Sequence, residues 1–404
     1  MSYFRERHVS LGKIGHDRLF LWLYEMAAAC HATPCGHDTQ RLKGKRKTME
    51  QNKIISRNGL TVILIMIISI VMLFPSVPTR GFAEDAKIGF LLKTMQEQRY
   101  RTDKNLFITR AESLGARVVF NSSANDERLQ LDQFEKMLDD GCRIIVLQPS
   151  NTGTAGYLVQ LAHRRGVRVV GYDSMLQNGP LDVMVMQDSW MVGKIQGKMM
   201  LEWMRKKKGA VKGNVALITG QPGDANADAM SSGVLETIRD NPGLKLIARR
   251  SHVNWRPILA RQTADALLVR HNNDIDAFIC NNSGLARGVI SALEAEGLAD
   301  ADRVFVAGAD ADLANIRYVT QGKQALEIWK KIKPLAYRAA EIAVMLARDP
   351  EKAEALIKSE ARMISNGHMD VPTIITPIVA ITKDTVDTSV IEGGFYTREE
   401  VYGK

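Results

Sequence analysis

The fold is decided by two short apolar segments, Arg143-Ile-Ile-Val-Leu147 and Arg168-Val-Val-Gly-Tyr172. Neither segment alternates polar with apolar residues, and continuous apolar strands of this length are typical of a parallel sheet covered on both faces. Both belong to an order of strand then helix that repeats along the chain. Because parallel neighbouring strands need helical crossovers, this order predicts an α/β fold.

The order of strand then helix occurs in two runs, separated by a long helical segment near residues 192–207. In the first run, strands are predicted at residues 87–92, 117–120, 143–147, 168–172 and 183–186. In the second run, they are predicted at residues 215–219, 244–248, 277–280, 304–307 and 325–328. Two runs imply two doubly wound parallel-sheet lobes, joined by several short crossings.

Polar residues directly follow five of the predicted strands. These clusters are Tyr172-Asp-Ser174, Gln187-Asp188, residues 220–226, Asn281-Asn-Ser283 and Gly308-Ala-Asp310. Any one cluster could simply cap a helix, since Asp, Asn and Ser satisfy free backbone N–H groups. Ligands of doubly wound sheets, however, bind beyond the carboxyl ends of the strands. Five clusters at that edge therefore favour a cleft for a polar ligand.

The N-terminal residues have the pattern of an export signal. A basic flank precedes the apolar segment 60–74, and small residues of a cleavage site end at Ala83. We interpret residues 49–83 as a signal peptide, and residues 1–48 as an upstream extension that the working protein lacks. The apolar segment is shorter than the ~20 residues of a typical membrane span. An uncleaved anchor is the alternative.

The net charge of +9 lies mainly in this N-terminal part. Residues 1–83 contain twelve Lys and Arg against five Asp and Glu, whereas the rest of the chain contains 42 against 40. A basic surface that follows nucleic-acid phosphates is therefore not supported. The cysteines that follow the N-terminal part, Cys142 and Cys280, lie in apolar strand-like segments. We expect two buried free thiols.

The usual sequence motifs of catalysis are missing. The chain has no Walker-type phosphate loop, no dinucleotide fingerprint after the first strand and no nucleophile elbow. None of the histidines after residue 83 has metal-ligand spacing, so we expect them at the surface and expect no metal or cofactor. Asp173, Asp224 and Asp310 leave hydrolysis by paired carboxylates as an alternative. The favoured interpretation is a binding protein rather than an enzyme.

The side chains near the predicted strand ends suit a sugar. A monosaccharide offers hydroxyls that both donate and accept hydrogen bonds, together with apolar C–H faces. Carboxylates, amides and cations suit the hydroxyls, and aromatic rings suit the faces. The residues of these types are Arg99, Tyr100, Asp173, Asp224, Asn226, Trp255, Asn282, Asp310, Trp329 and Lys330. The two tryptophans could equally pack in a core, and Lys330 could lie in a solvated turn.

From about residue 86 onward the chain resembles the bacterial periplasmic D-xylose-binding proteins of sugar ABC transporters, which are type I periplasmic binding proteins. The stretches that carry the resemblance are Arg110-Ala-Glu-Ser-Leu-Gly115, Tyr172-Asp-Ser-Met175, Gly308-Ala-Asp-Ala-Asp-Leu313, Ala339-Ala-Glu-Ile-Ala-Val344, Lys383-Asp-Thr-Val386 and Glu392-Gly-Gly-Phe395. Together they span nearly the whole of the chain after the signal segment.

The resemblance implies a set of sugar contacts. They fall on Arg99, Tyr100, Asp173, Asp224, Asn226, Trp255, Asn282, Asp310 and Lys330. The chain departs from the family at three places, with Ser174 for an arginine, Ser283 for an aspartate and Tyr100 for a tryptophan. A small sugar is therefore expected, and xylose is one candidate.

The resemblance also implies three crossing strands at a hinge, a monomeric protein in the periplasm and a membrane permease as its partner. We expect one lobe from residues 84–188 plus 332–372 and the other from residues 189–331 plus 373–404. In the alternative function, the sugar-bound form is presented to a sensor kinase or chemoreceptor. A transcription repressor shares the fold, but it would need a helix-turn-helix where the export signal lies.

Overall fold

Two β-sheets, each parallel except at one edge, form the framework of the protein. The computed structural model describes residues 86–403. The strands of these residues are β1 Lys87–Leu92, β2 Arg117–Ser122, β3 Ile144–Leu147, β4 Arg168–Tyr172, β5 Val183–Gln187, β6 Gly213–Thr219, β7 Leu244–Ser251, β8 Ala277–Cys280, β9 Phe305–Ala309, β10 Leu326–Lys330, β11 Arg362–Ser365, β12 Asp370–Thr376 and β13 Ile378–Ile381.

Helices cover both faces of the two sheets. They are α1 Gln98–Ser113, α2 Glu127–Asp139, α3 Gly156–Arg164, α4 Ser189–Lys208, α5 Ala225–Arg239, α6 Pro257–Arg270, α7 Ser283–Ala295, α8 Leu313–Thr320, α9 Ile332–Arg348, α10 Pro350–Glu360 and α11 Arg398–Tyr402. Across residues 86–403, none of them is both long and apolar enough to span a bilayer.

The strand order confirms the predicted fold class. The first sheet runs β11-β12-β5-β4-β3-β1-β2, and the second runs β13-β10-β9-β8-β6-β7. Neighbouring strands are parallel except β11 with β12 and β10 with β13. The protein is therefore an α/β protein with two doubly wound, mainly parallel sheets.

The first sheet separates two cores, because successive side chains of a strand point to opposite faces. Phe90 packs on one face, where its ring lies 4.0 Å from that of Phe107 on α1. Leu91 packs on the other face with Phe134 of α2. All four residues of β3 are buried, as the continuous apolar segment predicted.

The chain passes between the sheets three times, from β5 to α4, from β10 to α9 and from β12 to β13. The crossings lie side by side, since Lys331 N donates a hydrogen bond to Pro377 O at 3.2 Å and Gln187 Nε2 donates one to Lys331 O at 3.4 Å. The boundary expected between residues 372 and 373 falls inside β12, which pairs with β5 as far as Thr376. The third crossing is therefore at Pro377.

The ten strands predicted from the sequence are all present, with ends that differ by no more than three residues. β11, β12 and β13 were not predicted. Cys142 and Cys280 are buried free thiols, as expected. The expectation that every histidine lies at the surface is wrong for His252, which is 2% exposed and contacts Thr219 O and Thr263 Oγ1. The signal peptide and the upstream extension lie outside the described residues.

Candidate functional site

The polar clusters at the strand ends meet between the two sheets. Asp173 directly follows β4, and Asp310 directly follows β9. Asp224 and Asn282 occupy the N-cap positions of α5 and α7, where each side chain accepts a backbone N–H. The helix-cap interpretation is therefore correct for these two residues, and it does not compete with a role in the cleft.

A small cavity of about 20 Å³ lies where these residues meet. Its walls come from both sheets and are formed by Lys93, Glu97, Tyr100, Asp173, Asn226, Met230, Trp255, Asn282, Asp310 and Lys330. Seven of the nine site residues expected from the sequence are among them. The other two, Arg99 and Asp224, form ion pairs with residues of the wall. The space holds about one water molecule, so the walls must separate to admit a larger ligand.

Arg99 joins the two sheets at the base of this cavity. Its Nη2 lies 3.2 Å from Asp173 Oδ1, its Nη1 lies 3.3 Å from Asp310 Oδ1, and its Nε lies 3.3 Å from Asp103 Oδ2. Burial acts to lower the pKa of Arg99, but the three carboxylates outweigh burial and raise that pKa well above its ordinary value. The guanidinium is therefore a fixed cation that orients an acid from each sheet.

The pKa of Asp173 argues against a role for this residue as a general acid. Burial acts to raise this pKa, but Arg99, Lys330 and Lys93 lower it below its ordinary value. A general acid needs a proton near neutral pH, and Asp173 does not hold one there. Asp310 is tied to two cations, since Lys330 Nζ lies 2.7 Å from the Oδ1 that Arg99 also contacts. These ion pairs hold both carboxylates in place for hydrogen bonding to a ligand.

Asp173 and Asp310 share an uncommon backbone conformation. Their φ angles are +63° and +102°, in the left-handed region that non-glycine residues rarely adopt. Such strain persists only where surrounding contacts hold it, and it occurs often at functional sites. In both sheets this backbone conformation turns the aspartate at the end of a strand toward Arg99.

Two aromatic rings line the cavity from opposite sheets. Trp255 lies directly over Gly220, where an added Cβ would approach the indole ring to 2.2 Å. The glycine therefore permits the position of the ring. Tyr100 accepts a hydrogen bond from Gln148 Nε2 at 3.0 Å, and Gln148 also donates to Asp173 Oδ2 at 2.9 Å. Trp329, by contrast, stacks on Phe395 in a separate core.

Asn226 links the sheets through its amide. Its Nδ2 donates to Ser174 Oγ at 2.9 Å and to Asp173 O at 3.2 Å, and its Oδ1 accepts from Ser189 Oγ at 2.9 Å. Ser174, where the resemblance implied an arginine, contacts the opposite sheet through this hydrogen bond rather than through a charge. Lys330 is 5% exposed, so it does not lie in a solvated turn.

Sequence reasoning missed Lys93, Glu97 and Met230 in the cavity wall. Lys93 directly follows β1, and its Nζ lies 2.6 Å from Asp224 Oδ2 and 5.5 Å from the Trp255 ring centre. The strand-end pattern that pointed to Asp173 also applies to Lys93. Burial raises the pKa of Glu97 to about 7, although Lys93 acts to lower it. The Oε2 atom of Glu97 is buried, and no hydrogen-bond partner is found for it within the described residues.

The described residues contain no group of three or more His, Cys, Asp or Glu side chains placed to hold a metal ion. The cavity wall instead combines carboxylates, amides, lysines and two aromatic faces. This combination can donate hydrogen bonds to neighbouring hydroxyls, accept hydrogen bonds from them and pack against C–H groups. Two lobes around such a wall define a ligand-binding protein of the hinged α/β class.

Comparison with known proteins gives the family. Residues 88–351 match the model of the periplasmic binding protein domain, and the chain belongs to that family. It is 32% identical to the D-xylose-binding periplasmic protein of Haemophilus influenzae and 31% identical to that of Escherichia coli. Each alignment covers 79% of this chain and 93% of the relative.

Solved structures agree on the fold. The carbohydrate transporter solute-binding protein of Chloroflexus aurantiacus in complex with D-glucose is 25% identical to this chain, with a TM-score of 0.67. That similarity covers 78% of this chain and 97% of the other. A solute-binding protein of Clostridium phytofermentans with bound β-D-glucose also has a TM-score of 0.67, at 24% identity, over 78% of this chain and 99% of the other. The second comparison supports the fold alone.

Proposed function

We propose that this chain is an exported solute-binding protein that captures a monosaccharide, xylose or a related small sugar, and delivers it to the permease of an ABC transporter. The observation that carries the proposal is the cavity lined from both sheets by carboxylates, amides, lysines and aromatic rings. The Haemophilus influenzae and Escherichia coli relatives, whose names state D-xylose binding, support the choice of a small sugar.

The proposed sugar contacts divide by chemistry. The acidic and amide side chains accept from and donate to the ring hydroxyls, the cations donate to them, and the two aromatic rings cover the C–H faces. The residues are Arg99, Tyr100, Asp173, Asp224, Asn226, Trp255, Asn282, Asp310 and Lys330, together with Lys93. Arg99 acts chiefly by fixing Asp173 and Asp310.

Hinge closure is the proposed mechanism. One lobe would comprise residues 84–188 plus 332–376, and the other residues 189–331 plus 378–404, with the three crossings as the hinge. A sugar with about ten non-hydrogen atoms needs more room than the cavity of about 20 Å³ offers. The lobes therefore open to admit it and close on it. The sugar shifts the population toward closure by its difference in affinity for the two states.

A thermal-shift screen of the purified chain tests sugar binding. Pentoses, hexoses, deoxy-sugars, inositols and uronic acids are compared at equal concentration. A ligand that binds only the folded state raises the melting temperature. We expect a rise with one or a few neutral monosaccharides. A rise with xylose would show that Ser174 and Ser283 are compatible with that sugar. No rise with any member of the panel would refute the proposal.

The position of the sugar site is tested by comparing two aspartate substitutions at the same helix, α5. Asp224→Ala removes a buried carboxylate at the start of α5, whereas Asp228→Ala removes an exposed one on the same helix, whose side chain is 70% exposed. Truncating one member of a buried charge pair costs about 2–5 kcal/mol. We expect a large loss of sugar affinity in the first variant and little change in the second. Equal affinity in both variants would mean that the cleft is assigned wrongly.

The transport role is tested in cells that depend on the identified sugar for growth. Deleting the gene should slow growth on that sugar, and the wild-type chain should restore growth whereas Asp224→Ala should not. Normal growth of the deletion strain, together with loss of a sugar-dependent response, would instead favour a partner such as a sensor kinase or chemoreceptor.

A further inference from the structure

A buried carboxyl group lies behind the cavity wall, in contact with residues next to those that line it. Glu327 is on β10, three residues before Lys330, and its side chain is fully buried. Its Oε2 lies 3.0 Å from Ser283 Oγ and 3.1 Å from Ala311 N, and its Oε1 accepts from Gln324 Nε2 at 2.7 Å. This group is not among the sugar contacts, yet it touches the neighbours in sequence of two of them, Asn282 and Asp310.

The hydrogen-bond count around Ser283 depends on whether Glu327 carries a proton. Ser283 Oγ lies 2.9 Å from Ala309 O as well as 3.0 Å from Glu327 Oε2, and it accepts from Asp312 N at 3.2 Å. A hydroxyl has one proton and two lone pairs. If Glu327 is ionised, Ser283 can serve only one of the two oxygens. If Glu327 is protonated, it donates to Ser283, Ser283 donates to Ala309 O, and every contact is made.

The surroundings of Glu327 also favour the neutral acid. The titratable groups that face it are Cys280 from β8, Asp312 at the start of α8 and Tyr396 from the C-terminal segment. None of them is a cation, and Arg287 of α7 is engaged by Asp312 at 2.6 Å. Burial, with a further contribution from Asp312, raises the pKa of Glu327 to about 8, although hydrogen bonds from Gln324, Ser283 and Ala311 act to lower it.

The same contacts hold the cavity wall in place. Ser283 follows Asn282 directly, and Ala309 and Ala311 flank Asp310 on both sides. Asp310 and Ala311 have φ angles of +102° and +60°, so this turn depends on outside bonds for its conformation. Glu327 reaches Ala311 directly and Ala309 through Ser283. Two proposed sugar contacts are thereby held by one carboxyl group.

We propose that Glu327 is a positioning residue that holds a proton at neutral pH and, through Ser283 and the backbone around Asp310, fixes Asn282 and Asp310 for the sugar. The inference rests on the proposed sugar-binding function of the cleft. When Glu327 ionises, Ser283 must turn toward the carboxylate, Ala309 O loses its donor, and the turn that carries Asp310 loosens. Sugar affinity should therefore fall at alkaline pH.

The test is the pH profile of the dissociation constant for the sugar found in the thermal-shift screen. Between about pH 7 and about pH 9 the wild-type affinity should fall several-fold, at most tenfold for each pH unit. Glu327→Gln carries an N–H donor that cannot titrate, so its affinity should fall clearly less than that of the wild type over that range. The amide N–H of the variant cannot also accept the hydrogen bond from Ala311 N, so the sugar affinity of the variant can differ from that of the wild type at every pH. The diagnostic quantity is therefore the change of affinity with pH.

Two further variants separate the effect of Glu327 ionisation on sugar affinity from effects of neighbouring residues. Glu97→Gln removes the cavity acid that titrates at about 7, and it should keep the alkaline fall intact. Ser283→Ala removes the hydroxyl through which Glu327 acts, so its affinity at pH 7 should be lowered and should change little toward pH 9. An alkaline fall of the same size in Glu327→Gln as in the wild type would overturn the inference, as would wild-type affinity in Ser283→Ala.

A measurement without sugar keeps this inference apart from the proposed function. Because the folded pKa of Glu327 is raised, the folded state binds the proton more tightly than the unfolded state does. The melting temperature of the wild type should therefore fall relative to Glu327→Gln as pH rises from about 4.5 to about 8, and then level off. If the melting temperatures of the wild type and Glu327→Gln changed in parallel with pH, Glu327 would not be protonated in the folded state at neutral pH. A divergence without any sugar binding would refute the proposed function and, with it, the positioning role.

Discussion

Lys93 Nζ lies 2.6 Å from Asp224 Oδ2, and this ion pair joins the end of β1 in the first sheet to the start of α5 beside the second. Both side chains are buried, at 4% and 7% exposure. Burial acts to lower the pKa of Lys93, but the charge of Asp224 helps to raise it well above its ordinary value. A sugar that enters the cleft must therefore share these two groups or separate them.

Removal of either partner should weaken sugar binding by leaving the other charge buried without its counter-charge. We expect Lys93→Met and Asp224→Asn each to cost about 2–5 kcal/mol of binding free energy. The double variant should cost less than the sum of the two, because it leaves no isolated charge. Isothermal titration calorimetry measures all three, with Lys136→Met, whose side chain is 70% exposed, as the control. Additive losses would show that the pair does not act as a unit.

The position of the Trp255 ring should depend on Gly220. An alanine there would place its Cβ 2.2 Å from the indole, so the ring must move out of the cavity wall. We expect Gly220→Ala to reproduce most of the affinity loss of Trp255→Ala, about 2 kcal/mol.

Gly153→Ala is the matched control for this substitution. Its Cβ would meet only Asn151 Oδ1, at 3.4 Å. Tryptophan fluorescence reports the environment of the ring in each variant. Wild-type affinity in Gly220→Ala would mean that the ring does not contact the sugar.

Glu97 should make stability depend on pH below neutrality. Burial raises the folded pKa of Glu97 to about 7 from its ordinary value of 4.5. A carboxyl group with a raised pKa favours the folded state at low pH, and this contribution is lost as pH rises from about 4.5 to about 7. Glu97→Gln should therefore gain melting temperature relative to the wild type over that interval and run parallel above it. Glu112→Gln, which changes an exposed residue of α1, should run parallel throughout.

The core of the first sheet should be most sensitive at Phe90. Its side chain is fully buried, and it stacks on Phe107 and meets the edge of Tyr172. Phe90→Ala should lower the free energy of unfolding by about 3–5 kcal/mol. Phe120→Ala, on the edge strand β2 and only partly buried, should cost clearly less. Urea denaturation measures both, and equal losses would contradict the packing described.

The sequence was sufficient to predict the buried strands, because their apolar residues form continuous segments that are shorter than an ordinary helix. It was insufficient for β11 and β12. β11 is an exposed edge strand without an apolar segment, and β12 carries Pro372 in its interior. β12 pairs with β5, whose residues lie about 190 positions earlier in the chain, and among the described strands β11 pairs only with β12.

The strand-end pattern located the cleft but not the pairing inside it. It pointed to Asp173 and Asp310 separately, and the side chain that contacts both is Arg99 of α1. Lys93 satisfies the same pattern, but its partner Asp224 is 131 residues away. Local pattern shows which residues reach an edge. Which of them meet across the cleft depends on how the two sheets are brought together.

Because the chain crosses between the sheets three times, each sheet receives a strand from the C-terminal part of the chain, which is the last part to be synthesised. β5 acquires its neighbour β12 only after residue 376 has been made, although β4 and β5 are finished by residue 187. Until then β5 presents an open edge, which is a site for unwanted pairing. β13 likewise closes the edge of β10 only at residues 378–381. Both sheets therefore gain their last strands near the end of translation. A chain that stops before residue 370 lacks β12 in the first sheet and β13 in the second, so β5 and β10 are left as open edges.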